Sequence, residues 1–287
     1  ALGEPPPPTL KVAMNELGGF RNTVAVALTG LDVEAKAEVV ESAFWRACPH
    51  GPSDFESVDA RVIRTEHEDP VSNEAATAQW RITVKDPDER KVGRAFSNAF
   101  TETALSSIPG LYGLSGGPSP ASPYGVYRPA RVPSELVPQY VHVAGSTTQV
   151  DSASGTTGAD GDAVPGTAAE PVELPSEPTE PVPLGRVVGT RSGDKGGNAN
   201  LGVFTRSDAS FAWLNSFLTV DRLRELLPET ASLPIDRHEL PNLRSLNFVV
   251  HGLLDEGVAA STRIDGQAKS LGEWLRARIV AAPASLL

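Results

Sequence analysis

Apolar and polar residues alternate or recur at helical spacing over two long stretches of the chain, and a segment with neither pattern separates them. In the first stretch, residues 9–16 and 22–28 alternate as strands, the second with Val24, Val26 and Leu28 on one face, and Gly18-Gly19 is expected to turn the chain between them. Asp32 is placed as the N-cap of a helix reaching Ala47, with Val39, Val40, Ala43, Phe44 and Ala47 as its apolar stripe. Residues 55–65 and 77–85 alternate again. Asp86-Pro87-Asp88-Glu89 then offers an N-cap, a proline at the first helical position and an acid at the third, opening a helix whose stripe is Val92, Phe96, Ala99, Phe100 and Thr103. A last strand over 136–143 completes the order strand, helix, strand, strand, helix, strand, which is the split βαβ, or ferredoxin-like, arrangement.

The second patterned stretch begins at Gly185. Strand-like residues 185–190 and 201–205 are followed by helical pieces at 210–218 and 220–227, the latter capped by Thr219, and by a strand over 235–240. Leu243, Leu246, Val250 and Leu253 keep helical spacing, so 242–254 is read as a helix, although 247–250 alone would suit a strand. A strand over 257–264 and an amphipathic helix burying Ala268, Leu271, Trp274, Leu275 and Ile279 close the domain. The fold class that follows is α+β: two small α/β-sandwich domains at 1–143 and 185–287, the first ferredoxin-like, joined by a disordered acidic linker at 144–184.

Composition changes the picture mainly at that linker. Residues 145–184 hold seven acids, no Lys or Arg and no aromatic residue, which is too little apolar surface to offset the entropy of ordering. They account for most of the net charge of −11 and leave only −4 for the rest of the chain. Acidity is thus a linker property, and the absence of a clustered basic face argues against nucleic acid as a partner. No apolar run reaches the roughly 20 residues of a membrane span. Cys48 is the only cysteine and is read as a packing residue in a reducing, cytoplasmic setting.

Candidate chemistry concentrates in Arg191-Ser192-Gly193-Asp194-Lys195-Gly196-Gly197-Asn198-Ala199-Asn200. Gly196 and Gly197 free the backbone to approach a ligand, Arg191 and Lys195 bring positive charge for a carboxylate or phosphate, Asn198 and Asn200 orient a substrate, and Asp194 is the acid–base candidate. Asp194 and Lys195 are the expected catalytic pair; the competing reading is a hairpin whose Gly-rich turn carries an Asp–Lys pair. A smaller echo lies at Asn15-Glu16-Leu17-Gly18-Gly19-Phe20-Arg21-Asn22, which makes Arg21 and Asn22 further binding candidates. Residues 110–129, rich in Gly, Tyr and Pro and carrying Tyr112, Gly116, Tyr124, Tyr127 and Arg128, are either functional or a proline-pinned surface loop. The five histidines show no metal-binding spacing; His251, in an apolar run, is a candidate to face the ligand loop. P-loop, GxGxxG and GxSxG patterns are absent, so neither a dinucleotide fold nor a hydrolase elbow is supported, and no metal or other cofactor is expected.

These two loops, with Gly3-Glu4-Pro5-Pro6-Pro7-Pro8-Thr9-Leu10-Lys11-Val12, Leu28-Thr29-Gly30-Leu31-Asp32, Leu201-Gly202-Val203 and the run from Glu239-Leu240-Pro241-Asn242-Leu243 to His251-Gly252-Leu253-Leu254, resemble the acyclic terpene utilisation protein A (AtuA) family. The resemblance implies a larger α/β region ahead of the proline run in family members, so that a chain opening at Ala1 is expected to be their C-terminal half, ending in a ferredoxin-like domain that carries the Arg191 to Asn200 motif. It also implies a role in catabolism of citronellol- and geraniol-type terpenes, whose acids are degraded as CoA thioesters beside a biotin-dependent carboxylase. Two functions stay open: a hydratase- or lyase-like enzyme acting on a small-molecule carboxylate or acyl-CoA, and a non-catalytic binding or scaffold subunit that pairs with the carboxylase, another pathway enzyme or a second copy of itself.

Overall fold

A computed structural model describes residues 6–104, 106–114, 117–151 and 178–287. The body of the expected linker (152–177), Gly116 and the Gly3-Glu4-Pro5 end of the family motif lie outside the described residues. The chain divides into two compact units: Glu16–Val126, and Ala1–Asn15 with Tyr127–Leu287.

The unit Glu16–Val126 is built from β1 (Thr9–Thr29, which begins in the other unit), α1 (Val33–Ala47), β2 (Ser57–Ile63), β3 (Thr77–Asp86), α2 (Phe96–Ala104), β4 (Leu111–Gly113) and the start of β5 (Ser122–Pro133). Its sheet runs β2-β3-β1-β4, with β5 also paired to β1. Strands β1, β2 and β3 are antiparallel neighbours, with Phe20 opposite Asp86 and Thr29 opposite Thr77, so α1 connects two strands that flank a third, as a split βαβ unit requires. Val24, Val26, Leu28, Trp80, Ile82 and Val84 alternate onto one face and meet Val40 and Phe44 of α1 and Phe96 and Ala99 of α2. Phe44 lies 5.5 Å from Trp80 and 5.2 Å from Phe96, ring centre to ring centre, at the middle of this core.

Four local expectations give way here. No turn forms at Gly18-Gly19, because β1 is continuous through it. A side chain at Gly18 would lie 2.5 Å from atoms of Tyr124 and Val126, and Gly19 has φ +125°, so these glycines admit a neighbour and a local kink rather than reverse the chain. Helix α1 buries Val33, Ala37, Val40 and Phe44 and leaves Val39 exposed; Asp32 is left-handed, at φ 56°, and caps nothing with its side chain. The second helix does carry the expected buried stripe of Val92, Phe96, Ala99, Phe100 and Thr103, with a kink at Gly93 ahead of α2, and Asp86 Oδ1 accepts the Asp88 N–H at 2.8 Å near its start. The strand that follows α2 on the far edge of β1 is β4, joined by β5, rather than 136–143. That stretch divides into a 3₁₀ turn, Ser134–Leu136, and the exposed strand β6 (Gln139–Val143). Cys48 caps the end of α1, and burial pushes its thiol pKa up.

In the other unit β6 pairs with β7 (Ser146–Val150) around Ala144 and Gly145, both at positive φ. The linker reading therefore does not apply to 144–150, nor to β8 (Thr179–Pro183), which pairs antiparallel with β13 (Ile279–Pro283). Between them lie β9 (Gly189–Lys195), β10 (Asn198–Phe204), α3 (Asp208–Phe217), α4 (Val220–Leu226), β11 (Ile235–Leu240), β12 (Ser245–Val250) and α5 (Leu271–Ala277). The four-stranded sheet runs β11-β12-β10-β9 and is antiparallel throughout. Strands β10 and β11 again flank a third strand, and β9 takes the outer edge of β10. The expected helix at 242–254 is strand β12: Leu246, Phe248 and Val250 are fully buried and alternate with Ser245, Asn247 and Val249. Residues 257–264 turn rather than extend, the Ala260 and Ser261 N–H groups both bonding back to the Gly257 carbonyl. Helix α5 buries Leu271 and Leu275, while Ile279 falls on β13 and is exposed. The molecule is mixed α/β with mostly antiparallel sheets, and among the described residues no helix is long and apolar enough to cross a membrane.

Candidate functional site

The Arg191 to Asn200 motif is the β9–β10 hairpin. Lys195 pairs with Asn198, so Gly196-Gly197 is a two-residue turn, with Gly196 at φ +64°. Both glycines are spent on close packing. A side chain at Gly197 would meet the Asp255 carbonyl oxygen at 2.1 Å, and the Gly197 carbonyl itself accepts the Leu254 N–H at 2.9 Å. A side chain at Gly196 would press on the Tyr127 ring at 3.1 Å. Tyr127, whose N–H donates to Glu256 O at 3.2 Å, and Arg128, which pairs with the Glu256 carboxylate at 3.3 Å, lie beside this turn within the same unit.

Residues opposite each other in an antiparallel pair share a face, and that period of two divides the motif. Asp194 stands opposite the buried Ala199 and Ser192 opposite Leu201, so both are on the helix-covered face. There Ser192 Oγ donates to the Lys269 carbonyl at 3.2 Å and accepts the Gly272 N–H at 3.0 Å, tying β9 to the start of α5. Arg191, Gly193 and Lys195 belong to the other, open face with Asn198, Asn200 and Gly202. The expected catalytic pair therefore does not converge: Asp194 and Lys195 project to opposite sides, and Lys195 Nζ donates to the main-chain oxygen of Asp194 at 3.0 Å rather than to its carboxylate.

On the open face the register continues across β12 and β11, setting Asn247 and Val249 beside β10 and Asp236 and His238 beyond them. Asn200 and Asn247 exchange two amide hydrogen bonds, at 2.9 and 3.2 Å. Asn198 Oδ1 accepts the Gly252 N–H at 3.0 Å, which anchors the residue after His251. His251 Nε2 lies 2.8 Å from Asp236 Oδ2, both side chains reaching solvent. Asp236 and Asn247 are the residues missed from the sequence. The alternation of Ile235, Arg237 and Glu239 with Asp236 and His238 was available to find Asp236, whereas the helical reading of 242–254 hid the strand face shared by Asn247, Val249 and His251.

Two family models match the chain: acyclic terpene utilisation family protein AtuA over residues 1–143, and the AtuA ferredoxin-like domain over residues 182–281. The chain belongs to the AtuA family. Membership implies involvement in acyclic terpene utilisation. The AtuA match opens at residue 1 and the match to its ferredoxin-like module at residue 182, so both patterned stretches of the chain are covered. Searches of curated proteins and of solved structures returned no match.

In this AtuA-family chain the echo loop serves its own unit. Asn22 is buried at 7% exposure: Nδ2 donates to the carbonyls of Ser119 and Pro120 at 3.1 and 3.4 Å, and Oδ1 accepts from Thr23 N–H and Ser119 Oγ, each at 2.9 Å. Its amide is thus committed to holding the segment before β5. Arg21 pairs across the sheet with Lys85 on the face opposite that core, the face that also carries Arg81 and Arg61. Burial first, and then the nearby Arg61, hold the Arg81 pKa below the ordinary value for a guanidinium.

Proposed function

We propose that the chain works in acyclic terpene utilisation as a cytoplasmic acid–base enzyme that adds water to, or removes it from, a branched terpenoid acid or its CoA thioester. The observation that carries this reading is the 2.8 Å contact of Asp236 with His251, on a sheet face that also presents Asn198, Asn200, Asn247, Arg191 and Lys195. Asp236 orients the imidazole; His251 takes a proton from water as its oxygen bonds the β-carbon of the unsaturated acyl group, the C=C π pair moves onto the carbonyl oxygen, and the imidazolium returns the proton to the α-carbon as the carbonyl re-forms. Arg191 and Lys195 supply the charge that draws in a carboxylate or phosphate. Asn198 and the Asn200–Asn247 pair present carboxamides where a carbonyl oxygen gains charge. Asp194 has no step in this scheme, since it lies on the other face.

The test compares His251→Asn, Asp236→Asn and Asp194→Asn in hydration of an unsaturated terpenoid acyl-CoA. Loss of the histidine is expected to lower kcat by about 10² to 10⁴ with KM and thermal stability nearly unchanged, while Asp194→Asn keeps wild-type turnover. Wild-type kcat in His251→Asn would sink the assignment.

One observation favours a second, non-catalytic reading. Leu240, Ser245 and Phe204 are aligned at one end of the same open face, with Phe204 42% and Leu240 40% exposed. In that reading the face docks a pathway enzyme such as a carboxylase. Stoichiometric capture of that enzyme, abolished by Phe204→Ser with Leu240→Ser while His251→Asn has no effect on turnover, would favour docking over catalysis.

A further inference from the structure

A cavity of about 490 Å³ lies beside the edge strand β9, bounded by the 3₁₀ turn that precedes it, the end of β10, the first turn of α3 and the last turn of α5. Its volume is within the range of small-molecule sites, roughly 300 to 1,000 Å³. Three arginines from three separate segments, Arg186, Arg206 and Arg276, are among its lining residues, and no Asp or Glu is. That sign is opposite to the net charge of the chain, −11.

The three arginines are engaged to different degrees. Among the described residues Arg186 and Arg206 have no hydrogen-bond or ion-pair partner. Arg276 holds Glu273 through Nη1 alone, at 2.8 and 3.0 Å, and its Nε is buried without a partner. Thr190 Oγ1, also in the lining, is a second buried polar atom left unsatisfied. Gly185 packs directly on Arg276, where a side chain would stand 2.9 Å from Nε and 3.0 Å from Cβ. The Phe204 ring, also in the lining, fills the space over Gly189 and offers a flat apolar surface.

We propose that this cavity is an anion site for a phosphorylated small molecule, with the arginine forks on the phosphate oxygens and the flat or apolar body of the ligand against Phe204. One carboxylate fills one guanidinium fork, whereas three forks match the several oxygens and higher charge of phosphate or diphosphate. The site goes beyond the acid–base reading and stands without it, because none of its residues belongs to the Asp236–His251 pair. Thr190, which borders the cavity, also borders a smaller one of about 200 Å³ lined by Arg191, Lys269 and Glu273.

Isothermal titration of the full chain at fixed ionic strength tests this with inorganic pyrophosphate, coenzyme A and geranate. Pyrophosphate and coenzyme A are expected to bind and compete with each other, and geranate to displace neither. Arg186→Glu and Arg206→Glu, both exposed and so compatible with folding, should each weaken pyrophosphate by about tenfold or more. Arg276→Lys, which keeps the charge beside Glu273 but removes the buried Nε, should weaken it less, and His251→Asn not at all. Unchanged affinity in the two charge reversals, no heat with pyrophosphate at millimolar concentration, or geranate binding with the same arginine dependence would each overturn the phosphate assignment. A loss of hydration in His251→Asn with pyrophosphate binding intact separates this site from the acid–base reading.

Discussion

The two split βαβ units of this chain invite comparison at one residue type. Asn22 on β1 and Asn200 on β10 each sit on the first strand of such a unit, and each is flanked by glycine-rich sequence. Asn22 is on the core face, is 7% exposed, and spends its amide on Ser119, Pro120 and Thr23. Asn200 is on the open face and bonds only to the amide of a second open-face residue, Asn247. One residue of phase along a strand separates a structural carboxamide from one available to a ligand. The faces turned away from the two cores differ as well: the first carries Arg21, Lys85, Arg81 and Arg61, the second His251, Asp236 and three asparagines. Shared topology thus leaves the chemistry of the exposed face free to differ.

Substitutions can break or sharpen that contrast. The largest effect is expected at the β9–β10 turn, where Gly197→Ala drives a methyl group into the Asp255 carbonyl and should destabilise its unit by about 3 kcal/mol or more. Gly193→Ala, with open space above it, should be close to neutral, and hydrogen exchange of the β10 amides against those of β3 would show whether the damage stays in one unit. Next comes Asn22→Ala, which strands buried partners and should cost about 2 to 3 kcal/mol in chemical denaturation. If Asn200→Ala costs as much as Asn22→Ala, the distinction between structural and available amides fails.

Asp86 gives a pH-dependent test confined to the first unit. Burial raises its carboxyl pKa, but the Asp88 N–H, the Lys91 ammonium 3.2 Å away and the Glu56 N–H together outweigh that and leave it below the ordinary value. A lowered folded-state pKa stabilises above the unfolded value and is lost as pH falls through the folded one. Asp86→Asn should therefore cost about 1 to 2 kcal/mol at neutral pH, and the gap from wild type should close as acid titrates below about pH 4. A constant gap across that range would assign the effect to packing instead. The smallest effect is the coupling of Asn200 with Asn247: a double-mutant cycle should return about 1 kcal/mol, and a value near zero would mean that solvent replaces the amide pair at no cost.

Much of the fold was legible because it is written in short-range pattern. The stripe of Val92, Phe96, Ala99, Phe100 and Thr103 is buried as a set, and Thr219 caps α4 through its hydroxyl. The Gly196-Gly197 turn also follows from sequence, since few other residues tolerate its geometry. Legibility failed where local and tertiary preferences disagree. Leu246, Phe248 and Val250 satisfy a strand only once β10 and β11 flank them, and before that pairing is known Leu243, Leu246, Val250 and Leu253 read as a helix. Gly18-Gly19 looked like a turn because glycine permits one, yet what required it was the Tyr124 side chain packed above, about a hundred residues later in the chain.

The same division holds for the candidate chemistry. Sequence alone determined that a polar, glycine-rich hairpin carries Arg191 to Asn200, that this hairpin resembles the AtuA family, and that five elements of the first unit follow the split βαβ order, because hairpin turns, caps and amphipathic periods are set by neighbours a few residues apart. Only the tertiary structure decided which motif residues face the same way, that Asp236 and His251 meet, and that Arg186, Arg206 and Arg276 share one cavity. Those relations depend on strand register and on the packing of α3 and α5 against the sheet, and no local pattern encodes a contact whose two sides lie dozens of residues apart.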